Sequence, residues 1–241
     1  MDIQGTTALV TGAAKRVGKS IAIDLALAGA NIVVHYHESA DQARACAEEI
    51  RSLGVSCELL GADLSEPGQI DELFGAVKAN FGKLDILVNN AAVCKSTPLS
   101  SLTADLWDDQ FSVNARAAAL CISRASKLMP PGGAIVNIAD VGAGIGWGGY
   151  SAYCASKAAL VALTKAAAKA LAPKIRVNAV SPGIVDWSDD ISEVRKQTVI
   201  AHIPMNRAGS PKDIASAVVF LLQQDYITGQ ELRVDGGWHM A

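Results

Sequence analysis

Three side chains between residues 140 and 157 have the types and the spacing of an acid–base site: Asp140, Tyr153 and Lys157. Tyr153 and Lys157 are four residues apart, so on a helix they share a face and the ammonium can lie close to the phenol. A free phenol has a pKa of about 10, too high for efficient proton transfer at neutral pH, and a neighbouring cation lowers that pKa. An oxidised nicotinamide would add a second positive charge. The pair is therefore typical of an acid–base group that accompanies hydride transfer to or from a carbonyl or imine carbon.

Short apolar runs alternate with longer helical stretches, and these elements must position the three residues. Such alternation indicates βαβ units and a parallel sheet. The runs are nearly all apolar, as expected of strands that are buried on both faces. The predicted strands span 7–11, 32–36, 56–61, 86–89, 134–138, 176–180 and 231–234. The predicted helices span 18–28, 41–53, 67–80, 103–129, 151–172 and 211–223.

The size and composition of the chain limit its class. Its 241 residues fit one α/β domain over residues 1–241, and half of them are apolar, which is enough for a large core. A net charge of −3 argues against a nucleic-acid partner, which usually needs a basic face. We find no apolar run of membrane-spanning length and no signal peptide, so we expect a cytoplasmic protein without a membrane partner. Five scattered cysteines and four histidines lack ligand spacing, so we expect neither disulfides nor a metal site.

A phosphate-binding turn is predicted directly after the first strand, where residues 11–18 read TGAAKRVG and a helix follows. A strand, a glycine turn and a helix start present backbone N–H groups and the positive helix end to a phosphate. Gly12 permits the tight turn, and Gly18 permits a close approach of the backbone. The segment is not G-x-G-x-x-G, so an ordinary helix cap is the alternative. Its position after a buried strand favours the phosphate site.

The end of the second strand indicates which dinucleotide would bind. An acid about 20 residues after the glycines would accept the ribose 2′-hydroxyl of NAD, whereas cations accommodate the 2′-phosphate of NADP. Lys15, Arg16 and Ser39 favour NADP, while Glu38 favours NAD. We therefore predict NADP(H), with NAD(H) as the alternative. The other interpretation is that Lys15 and Arg16 are ordinary solvated charges.

Seven motifs, in this order and spacing, make the chain resemble the short-chain dehydrogenase/reductase family over nearly its whole length. They are the 11–18 turn, Asp63-Leu64, Asn89-Asn90-Ala91-Ala92, Asn114, Tyr153-x-x-x-Lys157, Pro182-Gly183 and Val234-Asp235-Gly236-Gly237. The resemblance implies a Rossmann-type doubly wound parallel sheet of about seven strands with helices on both faces. It also implies a nicotinamide cofactor, a small-molecule substrate and usually a homotetramer.

The resemblance further implies roles for individual residues. Tyr153 would donate the proton, Lys157 would lower the pKa of Tyr153 and bind the nicotinamide ribose, and Asn114 would tie a water to Lys157 in a proton relay. With Asp140, these residues form the predicted catalytic set. The expected cofactor contacts are Gly12, Lys15, Arg16 and Val17 at the first turn, His35, Tyr36, His37 and Ser39 after the second strand, Asp63 and Leu64 at the adenine, Asn90 and Ala91 at the ribose, and Pro182, Gly183 and Ile184 at the carboxamide, together with Tyr153 and Lys157.

Asp140 departs from the family pattern, in which a serine usually offers a neutral hydroxyl to the substrate carbonyl. An aspartate donates only when protonated, and when ionised it opposes a Tyr153 phenolate. Here the chain is similar to the pteridine-reductase branch, in which Asp and Tyr together deliver the proton to a pterin. That branch stacks the pterin on an aromatic side chain and tends to carry Arg where this chain has Glu38, whereas residues 93–96 read VCKS. Oxoacyl-type reductases with the same aspartate look equally close. The alternative for Asp140 is a turn residue that points away from the site.

Residues 182–210 form the least regular stretch and are predicted to be a substrate lid, here called the lid segment. Aromatic residues in the loops could form an apolar wall for the substrate, and aspartates lie around the lid. These residues are Trp147, Tyr150 and Trp187, and Asp186, Asp189 and Asp190.

The sequence therefore predicts an NADP(H)-dependent oxidoreductase that transfers hydride to a carbonyl or imine carbon of a small substrate, either a pterin or a 3-oxoacyl or other ketone. The alternative is an NADP-binding sensor or regulator that keeps the fold but has no catalysis. The intact Tyr153 and Lys157 argue against that alternative, and Asp140 is its only support.

Overall fold

One seven-stranded sheet, in which all neighbouring strands are parallel, organises the molecule. The computed structural model describes residues 1–187 and 191–240. The strands are β1 Thr7–Val10, β2 Asn31–Tyr36, β3 Cys57–Gly61, β4 Ile86–Asn89, β5 Gly133–Ile138, β6 Ile175–Pro182 and β7 Glu231–Val234. Their spatial order is β3-β2-β1-β4-β5-β6-β7. The predicted doubly wound parallel sheet is confirmed, and every predicted strand overlaps an observed one.

Helices cover both faces of the sheet, which is why its central strands are buried along their whole length. Every residue of β1 and β4 is buried. In β1, Ala8 and Val10 belong to the same core cluster as Ile21 of the first helix. Leu9 belongs to the other core cluster, with Leu73. Because successive side chains of a strand point to opposite faces, a strand between two helical layers is apolar at most of its positions.

Helices alternate with the strands along the chain. In the described part of the chain they are α1 Arg16–Leu27, α2 Ala40–Ser52, α3 Pro67–Phe81, α4 Ala104–Phe111, α5 Ala118–Leu128, α6 Gly142–Ile145, α7 Ser151–Leu171, α8 Glu193–Ile200 and α9 Pro211–Gln223. A π-helical segment, Ser112–Ala117, joins α4 to α5. The single helix predicted over 103–129 is therefore divided into three pieces.

Two of these helices were not predicted. The first, α6, is one turn of four residues, two of them glycine, and it is too short to show a hydrophobic period. The second, α8, has no buried residue and begins where the Ser192 side chain accepts a hydrogen bond from the Arg195 N–H. Because α8 lies inside the lid segment and β6 extends to Pro182, the prediction that residues 182–210 are irregular was wrong for these parts.

The crevice at the carboxyl ends of β1 and β4 is where a ligand should bind. From β1 the chain moves to β2 on one side, and β4 lies on the other side, so this is the topological switch point of the sheet. Across residues 1–187 and 191–240, no helix combines the length and the apolar character needed to cross a bilayer. Among the same residues, no three or more His, Cys, Asp or Glu side chains gather as metal ligands would.

Candidate active site

The structure brings Asp140, Tyr153 and Lys157 together in this crevice. Tyr153 and Lys157 lie on α7 and are only 7% and 3% exposed, and Asp140 follows β5. The Tyr153 hydroxyl donates to Asp140 Oδ2 over 2.7 Å. Lys157 Nζ donates to the Ile138 carbonyl over 2.8 Å and lies 5.8 Å from the centre of the Tyr153 ring. Although Asp140 Oδ1 also accepts from the Gly142 N–H as in a turn, the carboxylate faces Tyr153 rather than pointing away.

Burial dominates the protonation of these three groups. Burial and the Asp140 carboxylate hold the pKa of Tyr153 well above its usual value of 10. Burial lowers the pKa of Lys157 to about 8, although Asp140 opposes this. Burial also raises the pKa of Asp140, against the hydrogen bonds from Gly142 and Tyr153. The expected lowering of the pKa of Tyr153 by Lys157 is thus outweighed, and the site contains a neutral phenol that can donate a proton.

Asn114 lies in the π-helical segment and is 1% exposed. Its Oδ1 accepts from the Val93 N–H over 2.9 Å, and its Nδ2 donates to the Val93 carbonyl and to Ser156 Oγ, both over 2.9 Å. The side chain therefore ties the segment after β4 to α7. This amide does not bond to Lys157 directly, so its role in a proton relay stays a prediction.

The glycine turn after β1 is built against the segment that follows β4. Gly12 has a φ of +64°, and a Cβ added there would lie 3.0 Å from Ala91 Cα. A Cβ on Gly18 would lie 2.2 Å from the Gly12 carbonyl oxygen. Asn90 Nδ2 donates to the Thr11 and Gly12 carbonyls over 2.9 and 3.0 Å. Because the amide N–H groups of Asn90 hold the turn, its side-chain oxygen is the atom that could accept a hydrogen bond from a ribose. The predicted ribose contact is therefore limited to that oxygen.

His35 supports the same turn from the other side. It is 2% exposed, its Nδ1 accepts from the Gly12 N–H over 3.1 Å, and its Nε2 lies 3.0 Å from the Ala62 carbonyl. These partners require the neutral tautomer with the proton on Nε2. Burial lowers the pKa of His35 to about 4, in agreement with a neutral ring. Both ring nitrogens are occupied within the protein, so His35 supports the turn, and its predicted contact with the cofactor stays a prediction.

The two cations of the turn have different partners. Arg16 has a φ of +56°. Its Nε donates to Asp186 Oδ2 over 2.5 Å and its Nη2 to the Trp187 carbonyl over 3.2 Å. The predicted contact of Arg16 with a 2′-phosphate therefore competes with an ion pair to the lid segment. Lys15, exposed at the start of α1, remains the candidate for that contact. Asp189 and Asp190 lie outside the described residues.

The other predicted cofactor residues line one cleft with a volume of about 730 Å³. They are Val17, Tyr36, His37, Ser39, Asp63, Leu64, Ala91, Pro182, Gly183 and Ile184. At one end of the cleft, His37 Nε2 lies 3.8 Å from Asp63 Oδ2. At the other end lie Asp140, Tyr153 and Lys157. The cleft thus joins the glycine turn to the acid–base residues.

Comparison with known proteins identifies the family. A family model described as "Enoyl-(Acyl carrier protein) reductase" matches residues 12–239. The 3-oxoacyl-[acyl-carrier-protein] reductase FabG of Staphylococcus aureus is 38% identical over 241 residues, covering 97% of this chain and 98% of the relative. A mutant short-chain dehydrogenase/reductase of Serratia marcescens has a similar structure, with a TM-score of 0.94, 34% identity, and coverage of 99% of this chain and 100% of that one. The chain belongs to the short-chain dehydrogenase/reductase family.

A second solved structure similar to this chain is that of the angucycline C-6 ketoreductase LanV with bound NADP. Its TM-score is 0.94 and its identity 35%, and the match covers 100% of this chain and 98% of the neighbour. These matches extend over the glycine turn, the acid–base residues and the lid segment, so the whole cleft described above is part of the matched region.

The aromatic wall predicted for the substrate contains Trp147 and Tyr150 but differs from the prediction in its other members. Trp147 lies nearly parallel to Tyr153, with ring centres 6.2 Å apart, and meets the edge of Tyr150 at 6.3 Å. Its third partner is Trp238, at 5.7 Å, which the sequence did not indicate. The Trp187 ring has no aromatic partner among the described residues. The wall therefore rests on the segment after β7 rather than on the lid segment.

Gln110 is a second residue that sequence reasoning missed in this short-chain dehydrogenase/reductase. It is fully buried, and its side chain bonds to the backbone of Lys95, which lies just after the cleft-lining residues. The available signal was a polar residue four positions before Asn114, which would share its helix face. That signal was weak because glutamine is a good helix former and is common on helices.

Proposed function

We propose that this chain is an NADP(H)-dependent reductase that converts the ketone of a 3-oxoacyl thioester, or of a related small ketone, into an alcohol. The observation that carries the proposal is the buried Tyr153 hydroxyl, hydrogen-bonded to Asp140 and close to Lys157, at the end of a cleft that begins at the glycine turn. The identity of 38% to a 3-oxoacyl-[acyl-carrier-protein] reductase over nearly the full length supports this substrate class.

The cleft has the features that a phosphorylated dinucleotide requires. The positive φ of Gly12 and the close approach at Gly18 leave room at the start of α1 that any side chain would fill. Lys15 and Ser39 would hold the 2′-phosphate, and Asp63 would hold the adenine end. The NADP bound to the structural neighbour LanV supports the choice of NADP(H). When bound, NADPH supplies the hydride.

The residues of the chain supply and control the proton. Tyr153 turns its hydroxyl from Asp140 to the carbonyl oxygen of the substrate and donates its proton there. Lys157, held by the Ile138 carbonyl, offsets the negative charge that forms on the Tyr153 oxygen. Because burial raises the pKa of Asp140, this carboxyl takes up a proton more readily than an exposed one and can return it to Tyr153. Where most of the family has the neutral hydroxyl of a serine, Asp140 therefore provides a second group that can bind and release a proton.

A pterin substrate is the other outcome that Asp140 would favour. The residues that line the cleft after β4, from Asn90 to Cys94, include no aromatic side chain. Two of the proteins compared above are a 3-oxoacyl-[acyl-carrier-protein] reductase and an angucycline C-6 ketoreductase, and they support the ketone. We therefore retain the pterin only as one arm of the test.

The test is a panel of NADPH oxidation assays with a 3-oxobutanoyl thioester, a simple diketone, dihydrobiopterin and dihydrofolate. We expect turnover of the thioester or the diketone, reduced by about a hundredfold or more in Tyr153→Phe, because the general acid is lost. Turnover of only the two pterins would replace the proposed substrate. No turnover of any substrate, together with tight NADPH binding, would favour the non-catalytic sensor.

A further inference from the structure

The segment after β4, residues 92–97, has no regular secondary structure over 92–96 and yet forms one wall of the cleft. Two amide side chains hold its backbone. Asn114 accepts from the Val93 N–H and donates to the Val93 carbonyl, both over 2.9 Å. Gln110 does the same for Lys95, with 3.2 Å to its N–H and 3.3 Å to its carbonyl. Each amide thus makes, at one residue of the segment, the pair of backbone hydrogen bonds that a neighbouring strand would otherwise make.

The two amides lie about one helical turn apart and hold residues two apart on the segment. Gln110 lies in α4, and Asn114 lies in the π-helical segment that follows α4. Asn114 holds Val93 and Gln110 holds Lys95, and the two side chains are buried, with exposures of 1% and 0%. We call Gln110 and Asn114 together the amide clamp.

The amide clamp holds the backbone on both sides of Cys94. Because a buried amide fixes the peptide groups of Val93 and of Lys95, the residue between them cannot shift without breaking those hydrogen bonds. Cys94 lines the cleft together with Asp140 and Tyr153. Burial and the Asp140 carboxylate raise the pKa of the Cys94 thiol to about 11.

The same segment also reaches the start of the helix that carries Tyr153. The Thr97 N–H donates to the Gly149 carbonyl over 2.6 Å. The Thr97 hydroxyl oxygen accepts from the Ala152 N–H over 3.2 Å, and its carbonyl accepts from Ser151 Oγ over 2.7 Å. A shift of the backbone at residue 95 would therefore move both the cleft wall and the first turn of α7.

We propose that Gln110 is a positioning residue for the substrate-facing wall: its buried amide fixes the backbone at Lys95 and so holds Cys94 in place beside the reacting groups. The consequence for kinetics rests on the proposed ketone reductase function, whereas the consequence for Cys94 does not. Asp109 and Lys95 also form an ion pair over 2.6 Å, but their side chains are 40% and 55% exposed. Exposed pairs of this kind contribute little, so Gln110 provides the fixed contact.

The experiment compares Gln110→Met, which keeps the volume but loses both hydrogen bonds, with Gln110→Glu, which keeps an acceptor for the Lys95 N–H. Asp109→Asn is the matched control, because it removes only the exposed ion pair to the same residue. With the 3-oxobutanoyl thioester, we expect Gln110→Met to raise KM about tenfold or more, since small misplacements at a site have effects of that size. The KM for NADPH should change less than about twofold. Gln110→Glu should lie between wild type and Gln110→Met, and Asp109→Asn should match wild type.

Alkylation of Cys94, followed by peptide mass spectrometry, gives a second measurement without substrate. The other four cysteines are buried. Gln110→Met should accelerate labelling of Cys94 several-fold, while Asp109→Asn should not. The proposal is overturned if Gln110→Met labels like wild type, or if its loss of activity lies in kcat with KM unchanged. If wild type reduces no ketone, the proposed function fails while the labelling still decides the role of Gln110. If Gln110→Met does not fold, the same labelling comparison is made with Gln110→Glu.

Discussion

Replacing Asp140 with serine should lower the pKa of Tyr153, because it removes a carboxylate oxygen that lies 2.7 Å from the phenol oxygen. Two unit charges at that distance repel by about 6 kcal/mol at an effective dielectric constant of about 20, and by about 1.5 kcal/mol in water. One pKa unit corresponds to about 1.4 kcal/mol. The pKa of Tyr153 should therefore fall by between about one and four units.

The assay follows the reverse reaction, oxidation of a 3-hydroxyacyl thioester with NADP⁺, which needs the Tyr153 phenolate as base. Its kcat/KM should rise with pH, and the midpoint of that rise should move to lower pH in Asp140→Ser. Asp140→Asn, which is also neutral but keeps the shape, should show a shift in the same direction. Ionisation of Tyr153, followed by near-ultraviolet absorbance against Tyr153→Phe, should show the same shift without substrate. Unchanged profiles in both variants would refute the electrostatic argument, and a shift in serine alone would assign the effect to the hydroxyl.

Four further predictions concern the cleft, the stability of the fold and the oligomeric state. Lys15→Ala should raise the Kd for NADPH about tenfold, as loss of a hydrogen bond to a charged group does, and should leave the Kd for NADH nearly unchanged. Arg16→Ala and Asp186→Asn should each have a smaller effect, equal for the Kd of NADPH and that of NADH, and a loss of affinity confined to NADPH in Arg16→Ala would contradict the ion pair. Because the pKa of His35 falls from 6.5 to about 4 on folding, the unfolded state binds more protons between these pH values. Wild type should therefore lose about 3 kcal/mol of unfolding free energy as pH falls through this range, and urea titrations should show that His35→Gln loses less. Gly18→Ala should weaken NADPH binding, measured by fluorescence titration, about tenfold or more, because overpacking costs about 1–3 kcal/mol. Light scattering should give the mass of a tetramer at micromolar concentration, and a monomer mass would refute that expectation.

The sheet was predictable because its strands are buried on both faces. The run at residues 86–88 places three consecutive apolar side chains in a short segment, which is typical of a strand buried on both faces. The ends of α3 and α9 were also within a residue of prediction, because Pro67 and Pro211 each occupy the first turn of a helix. Local chemistry decides such features, so the sequence contains them.

Contacts between residues that lie far apart along the chain could not be predicted from the sequence. The ion pair of Arg16 with Asp186 spans 170 positions, and the stacking of Trp238 on Trp147 spans 91. Neither leaves a periodic pattern. The helix α8 was missed for a different reason, since all its residues contact solvent at least in part and no hydrophobic face marks it. The candidate acid–base residues could be predicted as a group because Tyr153 and Lys157 share a helix, but the direction of the pKa shift of Tyr153 depended on burial that only the fold determines.

The glycine turn after β1 is shared between two remote stretches of chain. Its carbonyls are held by the Asn90 amide, and Thr11 Oγ1 accepts from the N–H groups of Asn90 and Ala91 over 2.9 and 3.0 Å. The shape of the turn therefore depends on β4 lying beside β1 and is not set by residues 11–18 alone. For the same reason the glycine turn cannot be exchanged between relatives by itself. A chimaera that exchanges residues 11–18 must also exchange residues 89–91 to keep its affinity for the dinucleotide.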